Sequence, residues 1–325
     1  MRRRASAVLR ALPLAAALAF AAAPARAGFG TTDEGTSGAQ FLKLGGGARA
    51  EGMAQAYAAL PSEADAIYWN PAALSRIPRR SMTLMSSILP AGLDYSFLGY
   101  GQKMSGSFAV GASAQYLSQP PIDQTDSSGF ATGGTFRPSD FAGAIGGAYT
   151  FHNEDFGIFD GASLGATGKY VSSTITKTAY TFGFDLGFLS APFHVLGREM
   201  RLAYVAQNIG GSLKFQQLSD PLPTNLRLGA SAELAKGWLL DLDLDEPLDN
   251  HPYAAFGTEY RLEFSEAATF AVRCGVNSRA FGEAGNFSGA TLGLGARFSR
   301  LGVDYAFAPL GALGMTNTLS VNFSF

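Results

Sequence analysis

From about residue 80 to its end, the chain is written with a period of two. Residues 225–234 place Leu226, Leu228, Ala230, Ala232 and Leu234 on one face, with Asn225, Arg227, Gly229, Ser231 and Glu233 on the other. Residues 238–245 set Trp238, Leu240, Leu242 and Leu244 against Asp241, Asp243 and Asp245, with Leu239 out of pattern. Residues 291–298 alternate Leu292, Leu294, Ala296 and Phe298 with Thr291, Gly293, Gly295 and Arg297. The final segment alternates Met315, Leu319, Val321, Phe323 and Phe325 with Thr316, Thr318, Ser320, Asn322 and Ser324, and Asn317 is its one break. Alternation of this kind predicts strands with one apolar and one polar face. A soluble sandwich and a membrane barrel both satisfy it; they differ in which face looks inward.

Segment length and order favour the barrel. About fourteen strand candidates follow one another with short connections: 80–90, 93–104, 106–118, 138–151, 159–176, 178–192, 198–210, 223–235, 237–247, 251–264, 267–279, 287–299, 300–309 and 315–325. Several exceed the five or six residues of ordinary strands. An even number of long strands in a meander is the pattern of a closed transmembrane antiparallel β-barrel, which leaves no edge for lipid to meet. On this reading Tyr95, Phe97, Tyr116, Tyr180, Phe182, Trp238, Tyr253 and Tyr305 are candidates for an interfacial aromatic girdle. Cys274 shares an apolar face with Phe270, Val272 and Val276.

The N-terminus predicts export. Arg2, Arg3 and Arg4 precede the apolar run "ALPLAAALAFAAA" (11–23), and Ala25-Arg26-Ala27 forms a cleavage-type site, so residues 1–27 read as a signal peptide. No later stretch is long and apolar enough for a transmembrane helix. Charged residues make up 15% of the chain, well under the ~25% of soluble domains, and glycine reaches 40 of 325 residues. A net charge of −2 supplies no basic field to meet phosphates, so no nucleic-acid partner is expected. The single Cys274 forms no internal disulfide.

Residues 28–79 differ from the rest. "RAEGMAQAYAAL" (49–60) places Met53, Tyr57 and Leu60 on one helical face, and Pro61 would end that helix. In "DAIYWNPAAL" (65–74), Asn70 is a favoured N-cap and Pro71 suits the first helical position, which predicts a short helix over Pro71–Ser75. So short a helix has no stability of its own in water. A barrel of this size has a lumen too wide for its own side chains to fill. The segment is therefore expected to plug the barrel, inside it or at its mouth.

These residues resemble the PorV/PorQ group of outer-membrane proteins, related to the FadL-type barrels. The resemblance rests on "GTSGAQFLKLGGGARAEGMAQAYAALPSEADAIYWNPAALSRI" (35–77): Phe-Leu before a glycine turn, Ala-Arg, Gly-Met, Ala-Tyr, an acidic residue, then Trp-Asn-Pro-Ala. Gln55 stands where a small residue is more usual. "AQNIGGSLKF" (206–215), "LPTNLRLGASAEL" (222–234) and "FGTEYRL" (256–262) agree more weakly. The resemblance implies a barrel of about fourteen strands with an N-terminal plug, residing in the outer membrane of a Gram-negative-type bacterium. PorV-type members bind exported proteins in type IX secretion; FadL relatives pass hydrophobic small molecules toward a lateral opening. Neither activity is enzymatic, and no cofactor or metal is implied. Secreted proteins and hydrophobic solutes are thus both candidate partners, beside outer-membrane lipid and the assembly machinery. A soluble periplasmic β-rich binding module is the third alternative.

Gly47, Arg49, Gly52, Tyr57, Trp69, Asn70 and Pro71 are the candidate plug residues, and Phe325 a candidate assembly signal. The ladder Asp241, Asp243 and Asp245 is expected to face the lumen and pair with Arg227, Arg261, Arg273 or Arg297, because unpaired buried charge is costly. Three motifs mislead. "GGGARA" (45–50) with Asp65 mimics a dinucleotide fingerprint, but Leu60-Pro61-Ser62-Glu63 supplies no strand. "GASLG" (161–165) mimics a nucleophile elbow but continues as strand. "DLDLDE" (241–246) lacks the glycine of a calcium loop. The polar stretch 120–140 reads as an extracellular loop and a place for partner contact.

Overall fold

The computed structural model describes residues 35–152, 159–215, 217–265, 267–280, 289–309 and 314–325. The expected signal peptide lies outside them. Fourteen long strands form the wall: β1 Arg80–Leu89, β2 Leu93–Lys103, β3 Phe108–Ser118, β4 Ser139–Thr150, β5 Ser163–Thr174, β6 Thr178–Leu189, β7 Arg198–Gly210, β8 Asn225–Ala235, β9 Trp238–Pro247, β10 Tyr253–Ser265, β11 Ala268–Asn277, β12 Ala290–Phe298, β13 Leu301–Pro309 and β14 Met315–Ser324. Each matches one segment of the sequence pattern. Every neighbouring pair is antiparallel, and β14 pairs with β1 from Ile88↔Asn317 to Ser81↔Ser324, so the barrel closes. The carbonyls and N–H groups of Arg80 and Phe325 bond reciprocally at 3.0 Å and seal the seam.

The greasy stripes look outward. On β9, Leu242 and Leu244 are exposed while Asp241, Asp243 and Asp245 are at most 2% exposed. Leu292, Leu294, Phe270, Val272 and Leu319 are likewise exposed, whereas Ser320, Asn322 and Thr318 are buried. That inversion is the signature of a wall facing hydrocarbon with a polar lumen. Strands of 9–13 residues suffice to cross a bilayer when tilted. The two breaks in the alternation have causes. Leu239 turns inward against the core cluster, and Asn317, facing outward, accepts a bond from the Tyr305 hydroxyl at 2.5 Å.

Both described ends of the wall, at Arg80 and Phe325, lie on one rim, here the terminus rim. The connections after β1, β3, β5, β7, β9, β11 and β13 lie on the opposite, loop rim. The longest described among these, between β3 and β4, carries an exposed hairpin of Ile122–Thr125 with Ala131–Phe136. Three expected girdle residues are not on the outer surface. Tyr95 and Phe97 point into the lumen at 1% and 2% exposure, and Tyr253 is half-buried, beneath the Arg279 guanidinium. Tyr116, Tyr180, Phe182, Trp238 and Tyr305 are exposed outside. Inward parity decides the difference, since one residue of shift exchanges the faces.

Residues 35–79 fill the lumen. They enter at the loop rim, where Gly38 donates to Pro221 O and Lys43 Nζ meets Asp249 at 2.8 Å, and leave at the terminus rim into β1. The expected helix over 49–60 is not formed. Only Ala48–Glu51 is helical (α1); Gly52 follows, and Ala54 and Gln55 take left-handed backbone angles, φ 54° and 67°. A second turn of helix, α2, spans Ala66–Trp69, and a 3₁₀ helix spans Pro71–Arg76. Tertiary contact overrides the helical pattern: the N–H groups of Tyr57 and Ala58 bond Asp243 of the wall, and Met53 packs against wall glycines.

The wall is made thin where the segment touches it. An added Cβ would meet the segment at Gly99 and Gly101 (β2), Gly111 (β3), Gly165 (β5), Gly187 (β6), Gly229 (β8), Gly257 (β10), Gly275 (β11) and Gly293 (β12). At Gly257 it would lie 2.7 Å from Met53 O, and at Gly99 2.9 Å from Ala64 O. Glycine is abundant here because two backbones approach each other, not because the wall bends. Gly165→Val should therefore clash with the backbone of Pro71 and Ala72 and destabilise the barrel by roughly 1–3 kcal/mol. Gly168→Val on the same strand, with open space around it, should be nearly neutral. Equal shifts of the two variants in equilibrium unfolding from lipid vesicles would refute this account.

Candidate functional site

The lumenal segment is cemented from its own residues upward. Trp69 is fully buried, with Tyr68 edge-on at 4.9 Å, Tyr57 edge-on at 5.9 Å and the Arg227 guanidinium over its ring at 5.0 Å. Its indole N–H donates to Gly46 O at 2.6 Å. Asn70 caps the 3₁₀ helix: its side-chain oxygen accepts from Ala72 N at 3.0 Å, while its amide donates to Ala58 O at 3.0 Å and Phe188 O of β6 at 3.2 Å. Pro71 lies against Gly165, and the helix packs on β4, β5 and β6. Gly47 precedes α1 with φ 94°, beside Asp65, and Gly52 stands so close to Gly293 that an added Cβ would come within 2.9 Å of the Gly293 Cα. The peptide N–H groups of Tyr57 and Ala58 donate to Asp243 Oδ2 at 2.9 and 3.0 Å. Between the short helices, peptide groups that a longer helix would satisfy internally find partners on the wall.

The lumenal charges divide into separate sets. Arg227 binds Asp245 at 2.6 Å and lies 3.9 Å from Asp243, as the β8–β9 register Arg227↔Asp245 places them. Arg49 makes a two-point bond to Glu259 of β10, Nε to Oε2 at 2.8 Å and Nη2 to Oε1 at 2.9 Å. Arg273 shares that carboxylate at 2.6 Å and reaches Asp304 at 2.7 Å; Asn322 also donates to Asp304, at 2.8 Å. Of the four arginines offered as alternative partners for the Asp ladder, Arg227 is the one that meets it among the described residues. Arg273 pairs with Glu259 and Asp304, Arg261 stands 3.6 Å from Glu259, and Arg297 pairs with Glu63. Asp241 meets no guanidinium within salt-bridge distance among the described residues and instead accepts from Leu242 N. Strands β10 and β13 intervene with their own acids, which sequence alternation could have found: Glu259 and Asp304 both hold inward positions.

Another polar knot, absent from the sequence reading, closes a bulge in β7. Lys169 Nζ lies 2.8 Å from Asp185 Oδ2 and 2.6 Å from Asn208 Oδ1, and Asp185 Oδ1 accepts from Asn208 N at 2.7 Å. The β6–β7 register shifts there, between Ala206 and Ile209. Ser163, the serine of the elbow-like motif, is a wall residue that donates to Ser75 Oγ at 2.9 Å. Cys274 is exposed on the outer face.

The lumenal segment separates two cavities. The loop-side cavity, about 360 Å³, is bounded by Leu44, Ala54, Met85, Leu89, Tyr95, Ala290, Ala308 and Pro309, with Glu51, Gln55, Thr318 and Arg279 among its polar residues. The terminus-side cavity, about 350 Å³, is lined mainly by charged and hydroxyl-bearing residues. Both lie in the size range of small-molecule sites. Burial raises the Glu51 carboxyl to about 6, against the opposing pull of Gln55 and Arg227, and raises Asp65 to about 7, against Arg49.

Two outcomes follow. Arg49→Met removes one end of a buried ion pair and should cost roughly 3 kcal/mol, moderated because Arg273 still holds Glu259; unchanged protease resistance of residues 35–79 and unchanged unfolding would contradict it. The second concerns pH. Unfolded carboxyls ionise near pH 4, so the native chain holds extra protons on Glu51 and Asp65 between about pH 4 and 7. These two groups therefore make stability fall as pH rises through that window. Glu51→Gln with Asp65→Asn should flatten that slope; a pH profile identical to wild type would exclude it.

No family model matches the chain, and no curated protein matches it in sequence. Solved structures do match in fold. The CymD monoaromatic hydrocarbon channel is 14% identical with a TM-score of 0.56, covering 87% of this chain and 98% of its own. The toluene transporter TbuX of Ralstonia pickettii is 13% identical with a TM-score of 0.54, covering 86% and 98%. The toluene transporter TodX of Pseudomonas putida is 12% identical with a TM-score of 0.52, covering 86% and 96%. The chain thus folds as a transmembrane β-barrel of the architecture seen in these hydrocarbon channels.

Proposed function

We propose that the protein is a non-enzymatic outer-membrane channel that admits hydrophobic small molecules, with residues 35–79 as its plug. The observation that carries this reading is the loop-side cavity. It lies at the loop-rim end of the lumen, with Leu44, Ala54, Met85, Leu89, Ala308 and Pro309 as apolar residues on its border and plug residues forming one side. An enclosed cavity with apolar residues and a few polar groups on its border suits an apolar solute. On this reading the long loops, 119–138 included, face the exterior and the terminus rim faces the periplasm, the usual arrangement of outer-membrane barrels. Phe325 then closes the last strand where the assembly machinery meets it, and the exposed Leu and Phe rows meet lipid.

The similar solved barrels named above are channels for toluene and other monoaromatic hydrocarbons, which supports the same class of solute here. The cargo-carrier reading implied by the PorV/PorQ resemblance draws on no feature of this cavity, and the channel reading takes precedence. The plug is held by ion pairs, caps and backbone contacts on many strands, so passage requires movement within it rather than its wholesale exit.

Uptake of toluene into proteoliposomes tests the proposal. Wild-type protein should accelerate uptake over empty vesicles, and Ala308→Trp, on the inward parity of β13 with Asp304 and Ala306, should fill the loop-side cavity and slow uptake severalfold without loss of heat-modifiable gel mobility. Uptake equal to that of empty vesicles would remove the channel reading.

A further inference from the structure

The terminus-side cavity has a different chemistry from the loop-side one. Six arginines and five acidic residues line it. Most of these charges are already matched. Glu259 takes Arg49 and Arg273, Asp304 takes Arg273 and Asn322, Glu63 takes Arg297, and Glu199 takes Arg201 at 2.9 Å. Glu233 accepts from the Gly237 N–H at 3.2 Å. Two guanidiniums remain. Arg76 donates to the Ala59 carbonyl at 2.9 Å and meets no carboxylate within salt-bridge distance among the described residues. Among the described residues, the carboxylate nearest Arg261 is Glu259 at 3.6 Å, which two closer arginines occupy.

Arg76 is also held in a repulsive field. Burial lowers it to about 10, and Arg201 and then Arg49 push the same way. It stays charged at neutral pH, so the site keeps a cation whose compensation is missing. An enclosed guanidinium with free donors in a planar fork is matched by an oxyanion that accepts two bonds. The same cavity has an apolar side, with Leu60 and Leu239 on it.

We propose that this cavity binds a small organic carboxylate: the anionic head on Arg76 and Arg261, the apolar body against Leu60 and Leu239. The site has Arg49 and Glu63 of the plug on its boundary, whereas the plug residues on the loop-side cavity are Leu44, Gly45, Glu51, Ala54 and Gln55. It is lined by lumenal side chains, so its ligand arrives from water rather than from the lipid face. A carboxylate fits better than phosphate because one negative charge and one apolar body match what the cavity leaves open.

Calorimetric titration of the purified full chain in neutral detergent, with benzoate, inorganic phosphate and toluene as separate probes, tests this. Wild type should bind benzoate saturably and more tightly than phosphate. Arg261→Gln and Arg76→Gln should each weaken benzoate about tenfold, the loss of one charge-assisted contact, and leave toluene binding unchanged. Absence of saturable benzoate binding, or equal affinity in wild type and Arg261→Gln, would overturn the proposal. Phosphate binding as tightly as benzoate would overturn the apolar half of it. Arg261 lies at the rim of the wall, so this variant decides the matter even where Arg76→Gln fails to fold. Failure of toluene with benzoate retained would remove the channel reading and leave this site standing.

Discussion

A closed wall of fourteen strands encloses more space than its own side chains can fill. Filling that space is the constraint on which the remaining features depend. The chain meets it with its own residues 35–79, brought to backbone contact through glycines on eight of the wall strands. Without those glycines the segment would stand farther from the wall and the carboxylate of Asp243 could not reach the Tyr57 and Ala58 N–H groups. The short helices depend on the same closeness, because single turns leave most of their backbone groups to outside partners.

Charge follows from the same geometry. An ionised side chain buried away from bulk water needs a partner in place. Arg49 connects the plug to β10 through Glu259, and Arg273 continues the chain to β13, where Asn322 of β14 joins it and Thr83 of β1 meets Asn322 at 2.8 Å. One buried network therefore ties the plug to the strands on both sides of the closing seam. Where the network ends, at Arg76 and Arg261, the lumen holds cations in excess, and the terminus-side cavity begins. On the loop side the cavity mixes apolar side chains with mostly uncharged polar ones, and Glu51 on its border is held toward its neutral form. The two halves of the lumen are thus chemically distinct, with the plug as the boundary.

The order of the strands was legible in the sequence because alternation with a period of two is a local property. So was the outward direction of the apolar rows, once low charge and an export signal were weighed with it. Asn70 and Pro71 could be placed at the start of a short helix because capping also depends on a few adjacent residues. The helix expected over 49–60 was illegible for the opposite reason. Its apolar spacing is real, but Met53 packs on wall glycines and Tyr57 donates its N–H to Asp243, contacts with residues about two hundred positions away that no local pattern reveals. Tyr95 and Phe97 show the same limit: an aromatic near a strand end suits a girdle, and only register placed these two inside.

By itself, then, the sequence determined a β-barrel wall, its number of strands and the existence of a non-strand segment before it. These are set by short-range periodicity and composition, which act on each segment separately. The tertiary structure alone decided which arginine meets which carboxylate, how the two lumenal cavities differ in charge, and that Arg76 meets no carboxylate among the described residues. Those depend on closure, because a closed wall brings strands distant in the chain around one enclosed volume and leaves each charge only the neighbours that volume supplies.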